Sequence, residues 1–165
     1  MNHGSVTPGD HYTSIHEGLV WSVPLHFNIA QACCSRWAMQ TPHAIAISYE
    51  NELGELSRFS FAQLQDQANR LSKVLRQLGV QRGDRVAIVL AQRFEAAVAH
   101  MAVYQLAAIA MPLSQLFGPE ALEFRLNDSG AKVAIVDENS ATSVRQVRAR
   151  CQALSAVLAL GKAEG

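Results

Sequence analysis

A chain of 165 residues in which fourteen Lys and Arg balance fourteen Asp and Glu has a formal net charge of zero, so it lacks the basic excess that drives nucleic-acid binding. Hydrophobic residues at 49% against charged residues at 17% suit one globular domain with a core and argue against disorder. No window reaches the roughly 20 apolar residues of a membrane span, and residues 1–24 carry no basic stretch followed by an apolar run; a soluble, cytoplasmic protein without membrane contact is expected.

The first 24 residues read as an irregular leader, broken by Gly4, Pro8, Gly9, Gly18 and Pro24. His3, His11, His16 and His26 fall here or just after, but no pair has the tight spacing of a metal site, and no metal is expected. Cys33, Cys34 and Cys151 make an odd count with an adjacent pair. They read as small buried hydrophobes in a reducing compartment rather than a disulfide framework. Residues 25–165 form the expected domain.

Asn28 can cap a helix over 29–40, which Thr41-Pro42 stops. Alternating Ile45, Ile47 and Tyr49 predict a strand over 44–49, and a turn around Gly54 leads to a return strand over 56–59, giving a β-hairpin. Ser60 and Gln63 have capping-box spacing, and Phe61, Leu64, Ala68, Leu71, Leu75 and Leu78 recur on one helical face. Gly79 supplies the left-handed residue that ends this helix.

Residues 81–85 read as a charged turn. Gly83 allows positive φ there, and Asp84 braces the backbone. Residues 86–90 are a short branched apolar run of the kind buried on both faces of a parallel sheet. A helix over 94–107 is apolar nearly all round, which predicts packing on more than one side. Further strands are expected over 109–113, 132–136 and 155–160. Helices run from Pro119 to about residue 127 and over 140–151, the first with proline where its missing N–H is harmless. Strands alternating with helices imply right-handed crossovers and a Rossmann-like α/β architecture, a parallel sheet flanked by helices.

Chemistry is sparse by comparison. The sequence has no G-x-x-x-x-G-K-[ST] loop, no G-x-G-x-x-G, no G-x-S-x-G and no H-E-x-x-H, so no catalytic residue is assigned. His100 reads as a satisfied core residue. Arg145, Arg148 and Arg150 can bind phosphate, but a solvated helix face accounts for them as well.

The ordered pieces resemble the adenylate-forming (AMP-dependent) acyl-CoA synthetases, especially the acetyl- and medium-chain branch. Arg58-Phe59-Ser60-Phe61-Ala62-Gln63-Leu64 resembles the entry to that family's long capped helix. Ala68-Asn69-Arg70-Leu71, Leu78-Gly79-Val80 and Gly83-Asp84-Arg85-Val86-Ala87-Ile88 are similar to its "A-N-R-L", "L-G-V" and "G-D-R-V-A-I". Ala107-Ala108-Ile109-Ala110-Met111-Pro112-Leu113, Phe117-Gly118-Pro119-Glu120-Ala121 and Asp128-Ser129-Gly130-Ala131-Lys132 continue the series. Ala107-Ala108 replaces the usual glycine-alanine and Ala91 the usual proline. Both are small-residue changes that leave the fold intact.

The resemblance implies the first subdomain of an acid–thiol ligase. With ATP and magnesium, that ligase turns a carboxylic acid into an acyl-adenylate and then, with coenzyme A, into a thioester. Its phosphate loop, aspartate motifs and lysine-bearing lid would lie beyond residue 165. The segment would then be inactive alone, with no tight cofactor binding, and would pair with the remainder of the synthetase or with itself. By the same resemblance Phe117, Gly118 and Arg145 would border the coenzyme A channel. The competing expectation is a non-catalytic coenzyme A- or acyl-binding, or self-associating, scaffold.

Overall fold

The computed structural model describes residues 12–20, 22 and 24–161. Residues 1–11 of the expected leader and the last four residues lie outside the described set. The leader is not wholly irregular, because Tyr12–Gly18 forms a short helix, α1.

Asn28 starts the next helix as its sequence suggests. Its Oδ1 accepts the Gln31 amide at 3.1 Å, and its Nδ2 donates to the Tyr104 carbonyl at 2.7 Å. The helix is not uniform. Gln31–Ser35 is a π turn, continued by α2, Arg36–Gln40. That wide turn puts Cys34 in the core and leaves Cys33 exposed, which corrects the expectation that all three cysteines are buried.

Strands β1, Ile45–Glu50, and β2, Leu56–Ser60, form the antiparallel hairpin. Asn51 closes its turn, with Oδ1 accepting the amides of Leu53 and Glu55. Helix α3, Phe61–Gln77, follows directly. Ser60 Oγ accepts the Gln63 amide at 3.3 Å, and Gln63 Oε1 accepts the Ser60 amide at 2.8 Å, so two otherwise unpaired donors are satisfied reciprocally.

Beyond α3 the strands are β3, Arg85–Val89; β4, Ile109–Pro112; β5, Val133–Val136; and β6, Ala156–Ala159. Between them run α4, Phe94–Gln105; α5, Pro119–Ser129; and α6, Ala141–Val147, which a 3-10 turn extends through Arg148–Arg150. The four strands are parallel in the order β4-β3-β5-β6. The chain leaves β3 in one direction to make β4, then returns across β3 to make β5. This reversal obliges the crossover helices to change face if the connections keep one hand.

Burial records that change of face. Val86, Ile88, Val133 and Ile135 pack with Ala68, Leu75, Ala99, Ala102 and Val103 of α3 and α4. Ala87, Val89, Ala134 and Val136 pack with Leu122, Leu126, Val144 and Val147 of α5 and α6. A third cluster of Cys34, Leu64 and Val98, with Ile47 and Phe94 against it, fastens the hairpin to α3 and α4. Helix α4 thus meets neighbours on two sides, as its all-round apolar surface suggests.

Polar brackets tie the amino-terminal end of the sheet. Lys132 Nζ donates to the Gly79 carbonyl at 2.6 Å and to Asp84 at 2.9 Å. Arg85 donates to the carbonyls of Ser129 and Gly130 at 2.6 and 3.0 Å, placing a cation on the carboxyl end of α5. Gly83 has φ +82° and Asp84 accepts the Gln81 amide, so the turn braces itself as expected. The Lys132 hydrogen bond and then the Gln81 amide hold the Asp84 carboxyl below its ordinary value. A carboxyl with a depressed folded-state pKa stabilises above the unfolded value of about 4 and loses that contribution as pH falls. Urea midpoints measured between about pH 6 and pH 2 should therefore fall less steeply for Asp84→Asn than for the wild type.

One helix end departs from sequence expectation. Helix α4 stops at Gln105, not 107. Ala107 takes φ +52° while the Ala107 and Ala108 amides bond back to Tyr104 and Val103. This is the closure glycine normally performs, as Gly79 and Gly130 do at φ +81° and +59°. An L-residue there carries a steric cost of about 1 kcal/mol. Ala107→Gly should stabilise the fold by up to about 1 kcal/mol, read as a Tm rise of about 3 °C in a thermal melt.

Candidate functional site

In an open parallel sheet the strands' carboxyl ends flank a crevice where the strand order reverses, and ligands favour that place. Here the reversal lies between β3 and β5. The crevice is occupied by the protein's own polar side chains, centred on Asp137, which is 1% exposed.

Asp137 follows β5 directly. Its carboxylate accepts the amides of Ala91 at 3.0 Å, Ser140 at 3.1 Å and Asn139 at 3.2 Å, and a hydrogen bond from Gln115 Nε2. Ser140 Oγ donates to the Val89 carbonyl at 2.6 Å and accepts the Asp137 amide at 3.1 Å. Burial pushes the Asp137 carboxyl up, but the hydrogen bonds from Ala91, Ser140 and Asn139 outweigh it and leave the group below its usual value. One carboxylate therefore binds the loops after β3, β4 and β5.

Beside this network, towards β4, opens a cleft of about 890 Å³. Its walls include Ile47 and Tyr49 of β1, Leu90 and Arg93 after β3, His100 of α4, and Gln115 after β4. His100 is half-buried, with Nδ1 3.2 Å from the Tyr104 hydroxyl, and burial lowers its pKa. Its placement fits the satisfied residue expected, now on a cavity wall. Arg93 reaches Glu95 at 2.8 Å and Glu138 at 3.5 Å, and the Glu95 hydrogen bond raises its pKa despite partial burial.

Phe117 is half-buried against the α5/α6 cluster, with the Arg125 guanidinium 4.0 Å from its ring centroid. Gly118 is exposed at the start of α5, where a Cβ would meet nothing within 4 Å. Arg145 is exposed on α6 and has no hydrogen-bond or ion-pair partner among the described residues. The fold brings all three to the α5/α6 side of the sheet, but no polar or ring contact joins Arg145 to the other two. Arg148 and Arg150 are exposed as a solvated face would be, Arg150 pairing with Glu123 at 2.8 Å.

Arg93, the one arginine or lysine on the cleft wall among the described residues, is paired with two glutamates. No group of three or more His, Cys, Asp or Glu among the described residues could hold a metal ion. No helix of the described residues is long and apolar enough to cross a membrane.

Sequence reasoning missed the Asp137 network. Its local signal is Asp137-x-x-Ser140, an Asx-type spacing at a strand end. Its distant members, Ala91 and Gln115, lie 46 and 22 positions away.

Comparison with known proteins matches this architecture to one family. The family model for AMP-binding enzyme matches residues 34–164. The acetyl-coenzyme A synthetase of Coprinopsis cinerea is 30% identical over an alignment spanning 74% of this chain and 22% of that protein. A Mycobacterium tuberculosis fatty acyl CoA synthetase superposes with TM-score 0.70 at 27% identity, covering 81% of this chain and 26% of that one. The N-terminal domain of FACL13 from the same organism gives TM-score 0.72 at 26% identity, covering 82% of this chain and 34% of that domain. The chain spans about a fifth of the length of the curated relatives it matches. The family match over residues 34–164, with a parallel sheet and antiparallel hairpin that superpose on these structures over about four fifths of the chain, places this chain in the AMP-binding enzyme family.

Proposed function

We propose that this chain is the N-terminal scaffold of an ATP-dependent carboxylic acid–CoA ligase of the acetyl- and medium-chain type, and that it does not catalyse the reaction alone. The match of residues 34–164 to the AMP-binding enzyme family carries this reading. In the complete ligase a carboxylate attacks the α-phosphate of ATP, pyrophosphate leaves, and coenzyme A thiol then displaces AMP. Charge developing on phosphate in both steps needs preorganised donors and cations. This sequence contains no glycine-rich lysine loop to supply them, and Arg93 is neutralised by Glu95 and Glu138. The test is pyrophosphate release from ATP by the purified chain with a panel of carboxylic acids. No turnover is expected, and turnover would sink the claim of inactivity.

A coenzyme A-binding role for the isolated chain is a second reading, favoured by the unpaired Arg145. Guanidinium groups without an internal partner are available to phosphate. Calorimetric titration with coenzyme A separates the readings: heat that vanishes in Arg145→Ala supports binding at α6, and no heat supports the scaffold alone.

A further inference from the structure

The loop joining β4 to α5 alternates in exposure. Ser114 is exposed, Gln115 half-buried, Leu116 95% exposed and Phe117 half-buried. It has two inward anchors. Phe117 enters the α5/α6 cluster, and Gln115 Nε2 donates to Asp137. Within the loop, the Leu116 amide donates to Ser114 Oγ at 3.1 Å and the Phe117 amide to the Ser114 carbonyl at 3.2 Å. Asp137 itself is fixed by the Asn139 and Ser140 amides, and Ser140 by the Val89 carbonyl at the end of β3. The acceptor is thus held rigidly by the sheet, and the donor sits on a loop that lines the cleft.

We propose that Asp137 is the positioning residue of the cleft wall: through Gln115 it latches the loop 113–118 to the segment leading into α4, and so fixes the cleft's width and the rim position of Leu116. The functional meaning of the latch rests on reading this end of the sheet as the ligand-facing end of the synthetase. Fully hydrogen-bonded buried networks rigidify what they hold, and binding sites depend on such support from behind. A loop held by one anchor instead of two opens at lower cost, and amide exchange reports that opening locally.

The experiment is amide hydrogen exchange on the full 165-residue chain, without ligand, for the wild type, Gln115→Met and Asp137→Asn. Gln115→Met keeps the side-chain length and removes the donor. It should speed exchange of residues 114–118 by about tenfold, as expected for one lost hydrogen bond, and leave Ala91, Asn139 and Ser140 protected. Asp137→Asn should loosen all three loops. Should that variant not fold, Gln115→Met carries the test alone. Unchanged exchange at 114–118 in Gln115→Met overturns the proposal, and so does uniform loosening of the whole sheet, which would make Gln115 a packing residue only.

A spectroscopic readout distinguishes the latch from packing. The Gln115 side-chain amide resonance should titrate with the Asp137 carboxyl carbon. The neighbouring charges are Arg93, Glu95 and Glu138, with His100 also lining the cleft, so Glu138→Gln can move that midpoint but must leave the Gln115 resonance and the Asp137 carboxyl carbon titrating together. A Gln115 resonance that follows Glu138 instead refutes the latch. Because no ligand is present, failure here leaves the ligase reading standing, and failure of the pyrophosphate or coenzyme A tests leaves the latch standing.

Discussion

Asp137→Ala should lower the unfolding free energy by about 3–5 kcal/mol, the order expected when several partly or fully buried donors lose one shared acceptor. The substitution leaves the amides of Ala91, Asn139 and Ser140 and the Gln115 side chain without their acceptor, in a place that is 1% solvent-exposed. The Ser140 amide is buried and bears its full desolvation penalty, while the part-buried bonds of Ala91, Asn139 and Gln115 leave those donors a smaller one. Asp137→Asn keeps the volume and one acceptor oxygen, and should cost less, about 1–3 kcal/mol. Urea unfolding in parallel for the three proteins checks the order. Equal midpoints for wild type and Asp137→Ala would show that the network contributes nothing to stability. The sign with pH is the usual carboxylate one. Because the folded-state pKa lies below the ordinary value, the contribution is complete above about pH 4 and fades as acid is added. The wild-type advantage over Asp137→Ala should shrink towards low pH.

Leu75→Ala should cost about 2–5 kcal/mol, the range for deleting a buried leucine side chain. Leu75 is fully buried beneath the sheet in the cluster that joins α3 and α4 to β3 and β5. Its neighbours Ala68, Ala99 and Ala102 are small and already fully buried, so they have no side-chain reach with which to fill the space. The urea slope should stay constant while the midpoint falls, because the folded and unfolded surfaces change little. Leu116→Ala is the control. Leu116 is 95% exposed, and its truncation should shift stability by less than about 0.5 kcal/mol.

Much of the fold was legible because its signals are local. Ser60 and Gln63 set the start of α3 by spacing alone, and the structure contains both halves of the capping box. The branched run over 86–90 marked a strand buried on both faces, and Val86, Ala87, Ile88 and Val89 are buried while Leu90 is half-buried; of the strand expected over 132–136, all but the half-buried Lys132 is buried. The hairpin, the α/β alternation and the family resemblance followed from similar short-range patterns. Where the sequence misled, the cause was geometry without a local signature. The π turn before α2 needs one extra residue per turn and uses no special residue type. Ala107 looked like a harmless exchange of one small residue for another, yet it occupies a left-handed conformation that disfavours any Cβ. The Asp137 network was invisible because its members come from three loops that meet only when the strands align. Phe117, Gly118 and Arg145, taken from the resemblance, lie on one side of the sheet. Phe117 is partly occupied in packing, which leaves Gly118 and Arg145 as the accessible pair.

The strand order β4-β3-β5-β6 also shapes how the protein can assemble. Strand β3 is the first of its sheet to be synthesised and ends up with a later strand on each edge. Its β4 partner follows after one helix. The pairing of Val86 with Val133 and of Ile88 with Ile135 must wait for a second helix as well, and that delay raises the contact order of the central pair. Until β5 arrives, the edge made of Val86, Ala87, Ile88 and Val89 is open, with only Arg85 at the start of the strand to discourage a neighbouring chain from pairing with it. That edge is therefore the place where a partly made chain is most open to pairing with a neighbour before β5 covers it.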